Sequence, residues 1–530
     1  MIRLTKVETS SGGATLTGNL VTRGSIAEYL KSELNLEVEL NAMDRQSWSE
    51  TLVKLVEPHL RYAILSHRWG KSEPLLSDAY QHLSRWLAEP LEDLEALVKT
   101  EYPAGGGLHD DTPSISDRLL GIAKLKHFCS KAVDSGLSLA WSDTCCIDKT
   151  SNARLQEAIT SMFRWYRGSE VCIVHMADTS TSDAAKDKWE DQWFSRGWTL
   201  QELLAPQCLK FYSKEWVRLN NGALNDNSLN DKHDDHILER IALATKIPAS
   251  SIKAFTPDTK DLKEKLSWTS YRKTTVPEDL AYCLVGIFDV DLTINYGEGA
   301  ERAFYRLQEA IIKKTDDRNI FNWHGDSSSL CSIIAKEPFN FTPIDIPALR
   351  QSQPLVNRSF LAKVACSGFT CMGLCVDNYV SAAVRLDILA ATGELANAAQ
   401  AHFDITNNGV HLKTDTIRVL HKWRLRPKEK HVRWYLTVHG YQRLKVFITP
   451  QTKTDIDAEM DKRGGRDSMV LVPITAEKMT EDAVYPRLAI LLFKVSDNTY
   501  KRVKTRDPIV LVRKPGVFKN SEVPHSIYIK

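Results

Sequence analysis

No hydrophobic run in the sequence is long enough to cross a bilayer. The longest strongly apolar stretch, Leu488 to Val495, is strand-sized and interrupted by Lys494, where about 20 apolar residues are needed. The opening residues, MIRLTKVETSSGGATLTGNL, lack the apolar centre of a secretory signal. Charge of one sign is lacking as well. With 69 basic and 67 acidic residues the formal net charge is +2, which lends no support to nucleic acid as a partner. No disulfide framework is visible either, because ten cysteines are scattered over 530 residues and Cys145 and Cys146 are neighbours. A cytoplasmic protein with reduced thiols is expected. Common catalytic signatures are missing: no G-x-S-x-G, no H-E-x-x-H, no G-x-x-x-x-G-K-[ST], no C-x-x-C. Neither a metal nor a cofactor is therefore expected, and Cys366, Cys371 and Cys375 have the wrong spacing for a zinc ribbon.

What is present is a globular composition, 43% hydrophobic and 26% charged, in a chain too long for one core. Residues 1–60 give weak signals and read as an N-terminal extension. Residues 61–215 alternate strands with helices. Arg61–Ser66, Leu137–Ser142, Val171–Met176 and Cys208–Tyr212 are short apolar runs bounded by turn residues, as buried strands are. Between them, Leu119, Ile122, Ala123, Cys129, Ala132 and Val133 recur at helical spacing. Leu155, Ile159, Met162, Phe163 and Tyr166 share one face of a second helix over 153–167. A short helix is expected from Gly197 to Ala205. Strands apolar on both faces predict an α/β fold, a doubly wound parallel sheet covered on each side. Its ligand crevice would lie beyond the carboxyl ends of the strands.

Residues 216–315 read as a helical region, in which Gly297-Glu298-Gly299 starts a helix, and Gly105–Gly107 as a flexible loop. Residues 316–530 read as a β-rich C-terminal domain of short alternating runs such as RWYLTVHG, RLKVFITP and RLAILLFKV. The stretch Lys422 to Arg433 mixes basic and aromatic residues, which strand alternation explains without a nucleic-acid partner.

Three clusters stand out for their density of Trp, Asp, His and Glu: YAILSHRWG (62–70), LAWSDTCCIDKTSNARLQEAITSMFRWYRGSEVCIVHMAD (139–178) and WFSRGWTLQELLAP (193–206). Ser66, His67, Arg68 and Trp69 follow the first strand and Asp143 the second, where the crevice rule puts ligand contacts. Each has a plainer reading. Asp143 caps the turn that follows it, and Glu202 is a solvated acid near a helix start. Trp141, Trp165 and Trp193 read as core.

Together the clusters resemble the HET (heterokaryon incompatibility) domain of fungal proteins. The stretch 265–311, KLSWTSYRKTTVPEDLAYCLVGIFDVDLTINYGEGAERAFYRLQEAI, resembles the segment that follows it in such proteins. ITNNGVHL at 405–412 is similar to a piece of their C-terminal β region. Lys149 departs from the pattern, which more often has a polar amide there, and little consequence is expected.

The resemblance implies non-self recognition that ends in programmed cell death, with protein partners or self-association. HET domains are thought to be distant relatives of TIR domains, some of which cleave NAD+. That relation implies a TIR-like fold for 61–215 and NAD+ as substrate. Trp198–Leu203 (WTLQEL) is similar to a TIR motif with a functional glutamate, which makes Glu202 the catalytic candidate. Ser66, His67, Arg68, Trp69, Asp143 and Trp198 become the substrate-binding candidates. On a helix, Trp198 and Glu202 are i and i+4 and share a face. Cleaving the nicotinamide–ribose bond builds oxocarbenium character on the sugar, as glycoside hydrolysis does, and a fixed carboxylate would stabilise it. The alternative is a non-enzymatic, oligomerising death adaptor on the same fold.

Overall fold

The structure, a computed structural model, describes residues 1–8, 14–22, 56–102, 113–183, 189–220, 230–315 and 317–342, with a few single residues between them and pieces within 403–529. Gly105–Gly107, Cys366, Cys371, Cys375 and most of Lys422–Arg433 lie outside the described residues. The chain divides into two units, Met1–Pro257 with Arg272–Thr274, and Asp258–Tyr271 with Thr275–Lys530. That partition is coarser than the four stretches read from the sequence.

The first unit is α/β. Strands β1 (Ile2–Glu8) and β2 (Ala14–Leu20) form an antiparallel hairpin. Four parallel strands follow: β3 (Tyr62–His67), β4 (Leu139–Trp141), β5 (Val171–His175) and β6 (Leu209–Tyr212). The sheet order is β2-β1-β4-β3-β5-β6. The hairpin joins through Ile2 opposite Ala140, so residues read as a weak extension supply one sheet edge. The wholly parallel expectation is corrected there. The parallel strands themselves are buried almost throughout, as strands covered on both faces must be.

Helices α1 (Leu76–Ala88), α2 (Leu94–Glu101) and α3 (Ile115–Asp134) lie between β3 and β4. Ser114 starts α3 with a capping box, its hydroxyl taking the Asp117 N–H at 3.1 Å. Ile122, Leu125, Phe128 and Cys129 of α3 share one core cluster with Ala63 and Leu65 of β3. The one-turn helix α4 (Asp143–Cys146) follows β4, and α5 (Asn152–Arg167) returns to β5. On α5, Ala158, Ile159, Met162, Phe163 and Tyr166 are buried, and Tyr166 Oη donates to the Leu65 carbonyl at 2.9 Å. Helix α6 (Thr199–Leu204) precedes β6, and α7 (Asp235–Thr245) and α8 (Ala249–Lys253) come after it.

The winding places the site. From β3 the chain goes to β4 on one side, then crosses back to β5 on the other. The strand order therefore reverses between β3 and β5, and their carboxyl ends bound the crevice where open α/β sheets bind ligands.

The second unit begins with helices α9 (Leu262–Ser267), α10 (Asp279–Tyr282), α11 (Val285–Phe288) and α12 (Ala300–Lys314). Gly297 and Gly299, both at positive φ, lead into α12, and both N–H groups rest on the Glu278 carboxylate at 2.9 and 2.8 Å. From Phe403 onward the described residues of regular structure are mainly strands, linked in one sheet of ten. Arg502 on one of them donates to the carbonyls of Phe321 and Trp323 and lies 3.5 Å over the Trp323 ring. No described helix is long and apolar enough to cross a membrane.

Candidate functional site

Successive residues of a strand point to opposite faces, so the last two of β3, Ser66 and His67, open two different environments.

On one face, Ser66 Oγ donates to Glu202 Oε2 at 2.5 Å and accepts the Trp193 Nε1–H at 2.8 Å. Trp193 is held by Asp191, whose Oδ1 accepts its backbone N–H at 2.8 Å. The expectation of Trp193 as core thus needs an addition: it is fully buried, and its one polar atom serves Ser66. Glu202 is 8% exposed, which corrects its reading as a solvated acid. Burial pushes its pKa up to about 8; the Ser66 hydrogen bond opposes this, the Asp143 charge adds to it, and Arg196 and Arg272 oppose it. At neutral pH Glu202 carries its proton.

Both ends of α6 are anchored. Arg272 donates to the Arg196 carbonyl at 2.8 Å and to Thr199 Oγ1 at 2.9 Å, while Gly197 N–H donates to the Lys273 carbonyl at 2.9 Å. At the far end Lys232 Nζ donates to the carbonyls of Leu204 and Pro206 at 3.1 and 2.6 Å. Trp198 stands half-buried at the N-cap of α6, one turn before Glu202.

On the other face, His67 Nε2 lies 3.1 Å from Asp143 Oδ1, and Trp69 Nε1–H donates to Asp143 Oδ2 at 2.7 Å. Both carboxylate oxygens are engaged by side chains from the end of β3, which corrects the reading of Asp143 as a turn cap. Burial alone would raise the Asp143 pKa, but the His67 hydrogen bond and charge, the Lys149 cation and the Trp69 N–H outweigh it and hold the acid ionised. Lys149 Nζ sits 3.6 Å over the Trp69 ring. The residue expected to matter little is therefore packed into this cluster.

Arg68 spans the crevice between the strand ends, donating to Gln192 Oε1 at 2.8 Å and Asp178 Oδ1 at 2.9 Å. Lys124 of α3 holds the same segment through the Arg68 carbonyl and the Glu73 carboxylate. His175 ends β5 in register with His67. It is 7% exposed and stacks on the Trp216 ring, centroids 4.4 Å apart at 10°. Burial, with the nearby Lys124 charge, pushes its pKa down to about 3.

The single crevice read from the sequence is thus two neighbouring clusters at the same strand ends: Ser66, Glu202 and Trp193, and His67, Trp69, Asp143 and Lys149. Sequence reasoning missed His175, although it closes a parallel strand just as His67 does and the same strand-end rule would have found it. Arg272 carries no local signal at all. Among the described residues no group of three or more His, Cys, Asp or Glu could hold a metal ion.

Over 261 residues, 48% of this chain, the sequence is 38% identical to the vegetative incompatibility protein HET-E-1 of Podospora anserina. The chain is thus related to a fungal vegetative incompatibility protein, as the three clusters suggested. It covers only 16% of that protein's length. No family model and no solved structure matches the chain.

Proposed function

We propose that this chain is a heterokaryon-incompatibility-type signalling protein that triggers programmed cell death, and that its α/β unit acts by cleaving NAD+ at Glu202. The kinship with an incompatibility protein supports the first half. One observation carries the second: a buried carboxyl, Glu202, hydrogen-bonded to Ser66 at the carboxyl ends of parallel strands. A sheet whose first parallel strand lies inside its second is also what a TIR-like fold would need.

The protonation of Glu202 shapes the mechanism. A neutral carboxyl does not stabilise a cationic sugar. The nicotinamide ring of NAD+ is itself cationic, and a positive charge beside a carboxyl favours its ionised form. Seating the ring would therefore release the Glu202 proton, and the resulting carboxylate would face the developing oxocarbenium. Trp198 would flank the flat base, while Arg68, Trp69, His67 and Asp143 would hold the remainder. Cytoplasmic location and self-association or protein partners belong to the same reading.

The test is nicotinamide release by the purified full chain, alongside killing of fungal cells. Glu202→Ala and Glu202→Gln should abolish both, while each variant still unfolds in one cooperative transition. If Glu202→Ala kills as well as wild type, the enzymatic reading falls. The adaptor reading then stands, in which a protonated, hydrogen-bonded Glu202 is a structural residue.

A further inference from the structure

The mechanism above leaves His175 without a task, yet its surroundings are unusual. His67 and His175 are register partners on adjacent parallel strands, so their side chains share a face, at the point where the winding of the sheet reverses. His67 Nδ1 and both ring nitrogens of His175 are sealed from solvent and make no hydrogen bond within the protein. The Lys214 main chain comes near the His175 ring without hydrogen-bond geometry. Buried polar atoms without partners are rare enough in folded proteins that each calls for a cause. Here three belong to one register pair.

Their chemistry can be worked out. Asp143, held ionised, can only accept, so His67 Nε2 carries the proton toward it, and Nδ1 is left as one further polar atom to satisfy. His175 is kept neutral by its burial and offers one donor and one acceptor. The set therefore holds at least one donor and one acceptor. An ionised phosphate, which only accepts, would leave the acceptor unsatisfied. A hydroxyl both gives and takes, and two adjacent hydroxyls can satisfy all three. The stack on Trp216 fixes the plane of the His175 ring in advance.

We propose that His67 and His175 form a binding site for the vicinal hydroxyls of a sugar. The choice of ribose as that sugar rests on the NAD+ reading above. A dinucleotide carries two riboses, and the histidines and the Ser66–Glu202 pair occupy the two faces of the same strand ends.

The experiment is calorimetric binding to the full chain. Wild type should bind ADP-ribose, and should prefer ribose 5-phosphate at least tenfold over 2-deoxyribose 5-phosphate, which has the same phosphate and one hydroxyl fewer. His175→Phe keeps a ring against Trp216 and removes both nitrogens. It should lose at least tenfold in ADP-ribose affinity and bind the two pentoses alike. Its melting temperature should be unchanged or raised, because unpaired buried atoms have gone. His175→Gln, which retains a donor and an acceptor, should recover part of the preference. Equal binding of the two pentoses by wild type overturns the site whatever the variants do. So does undiminished ADP-ribose binding by His175→Phe, which would mean that the nitrogens hold only water. ADP-ribose binding with pentose preference but no nicotinamide release would leave this site standing and sink the cleavage reading. Nicotinamide release by His175→Phe at unchanged KM would do the reverse.

Discussion

At the scale of single residues, Glu202 couples the site to stability. Folding lifts its pKa from 4.5 to about 8 because burial disfavours the charged form. Below pH 4.5 both folded and unfolded chains hold the proton. Between pH 4.5 and 8 the unfolded chain ionises and the folded one does not, so stability falls across that window and then levels. At about 1.4 kcal/mol per unit, the loss amounts to a few kcal/mol. Glu202→Gln has no such proton. Its stability relative to wild type, from urea denaturation at a series of pH values, should rise from pH 4.5 to 8 and stay flat above. Identical pH profiles for the two proteins would show that the carboxyl is not shifted. Ser66→Ala acts on the same pair differently, leaving the Trp193 indole N–H and Glu202 without their shared partner. It should cost about 1–3 kcal/mol at pH 6, and an unchanged denaturation midpoint would contradict the geometry.

At the scale of elements, the site depends on how loops are pressed against helices. Gly121 lies inside α3, and a Cβ there would come within 2.2 Å of the Ser72 carbonyl oxygen. Only a hydrogen fits between helix and loop. The segment pressed on it leads directly from Arg68 and Trp69, whose contacts to Asp178, Gln192 and Asp143 define the crevice mouth. Gly121→Ala must push the loop outward, at about 1–3 kcal/mol, as overpacking usually costs. The melting temperature should drop by several degrees, and the fluorescence of the partly exposed Trp69 should change. A variant as stable as wild type would mean that the loop has room to spare.

At the scale of the whole molecule, the first unit is not one continuous piece of chain. Arg272–Thr274 belongs to it, and Arg272 and Lys273 tie down the start of α6 through Arg196, Gly197 and Thr199. A fragment of residues 1–257 lacks those ties, whereas 1–315 keeps them. The longer fragment should fold and be toxic when expressed in fungal cells. The shorter should melt lower and lose toxicity. Equal killing by the two at equal expression would show that the downstream residues are dispensable for the site.

The sequence by itself determined the parallel core. RYAILS and the runs at 137–142, 171–176 and 208–212 are apolar on both faces because strands buried on both sides must be, and the helix of residues 152–167 announces itself by its period. The candidate residues at strand ends, Ser66 to Trp69 and Asp143, were legible from the same rule, and Glu202 from the resemblance. Other features had no local signal. The hairpin of residues 2–20 is short and polar in pattern, and became a sheet edge only by pairing with β4 far along the chain. Which face each residue of SHRW serves, the pairing of His67 with His175, and the arrival of Arg272 at α6 were decided by tertiary structure alone. So was the protonation of Glu202. Burial, register and pKa are sums over neighbours that come from distant parts of the chain, and no window of adjacent residues contains them.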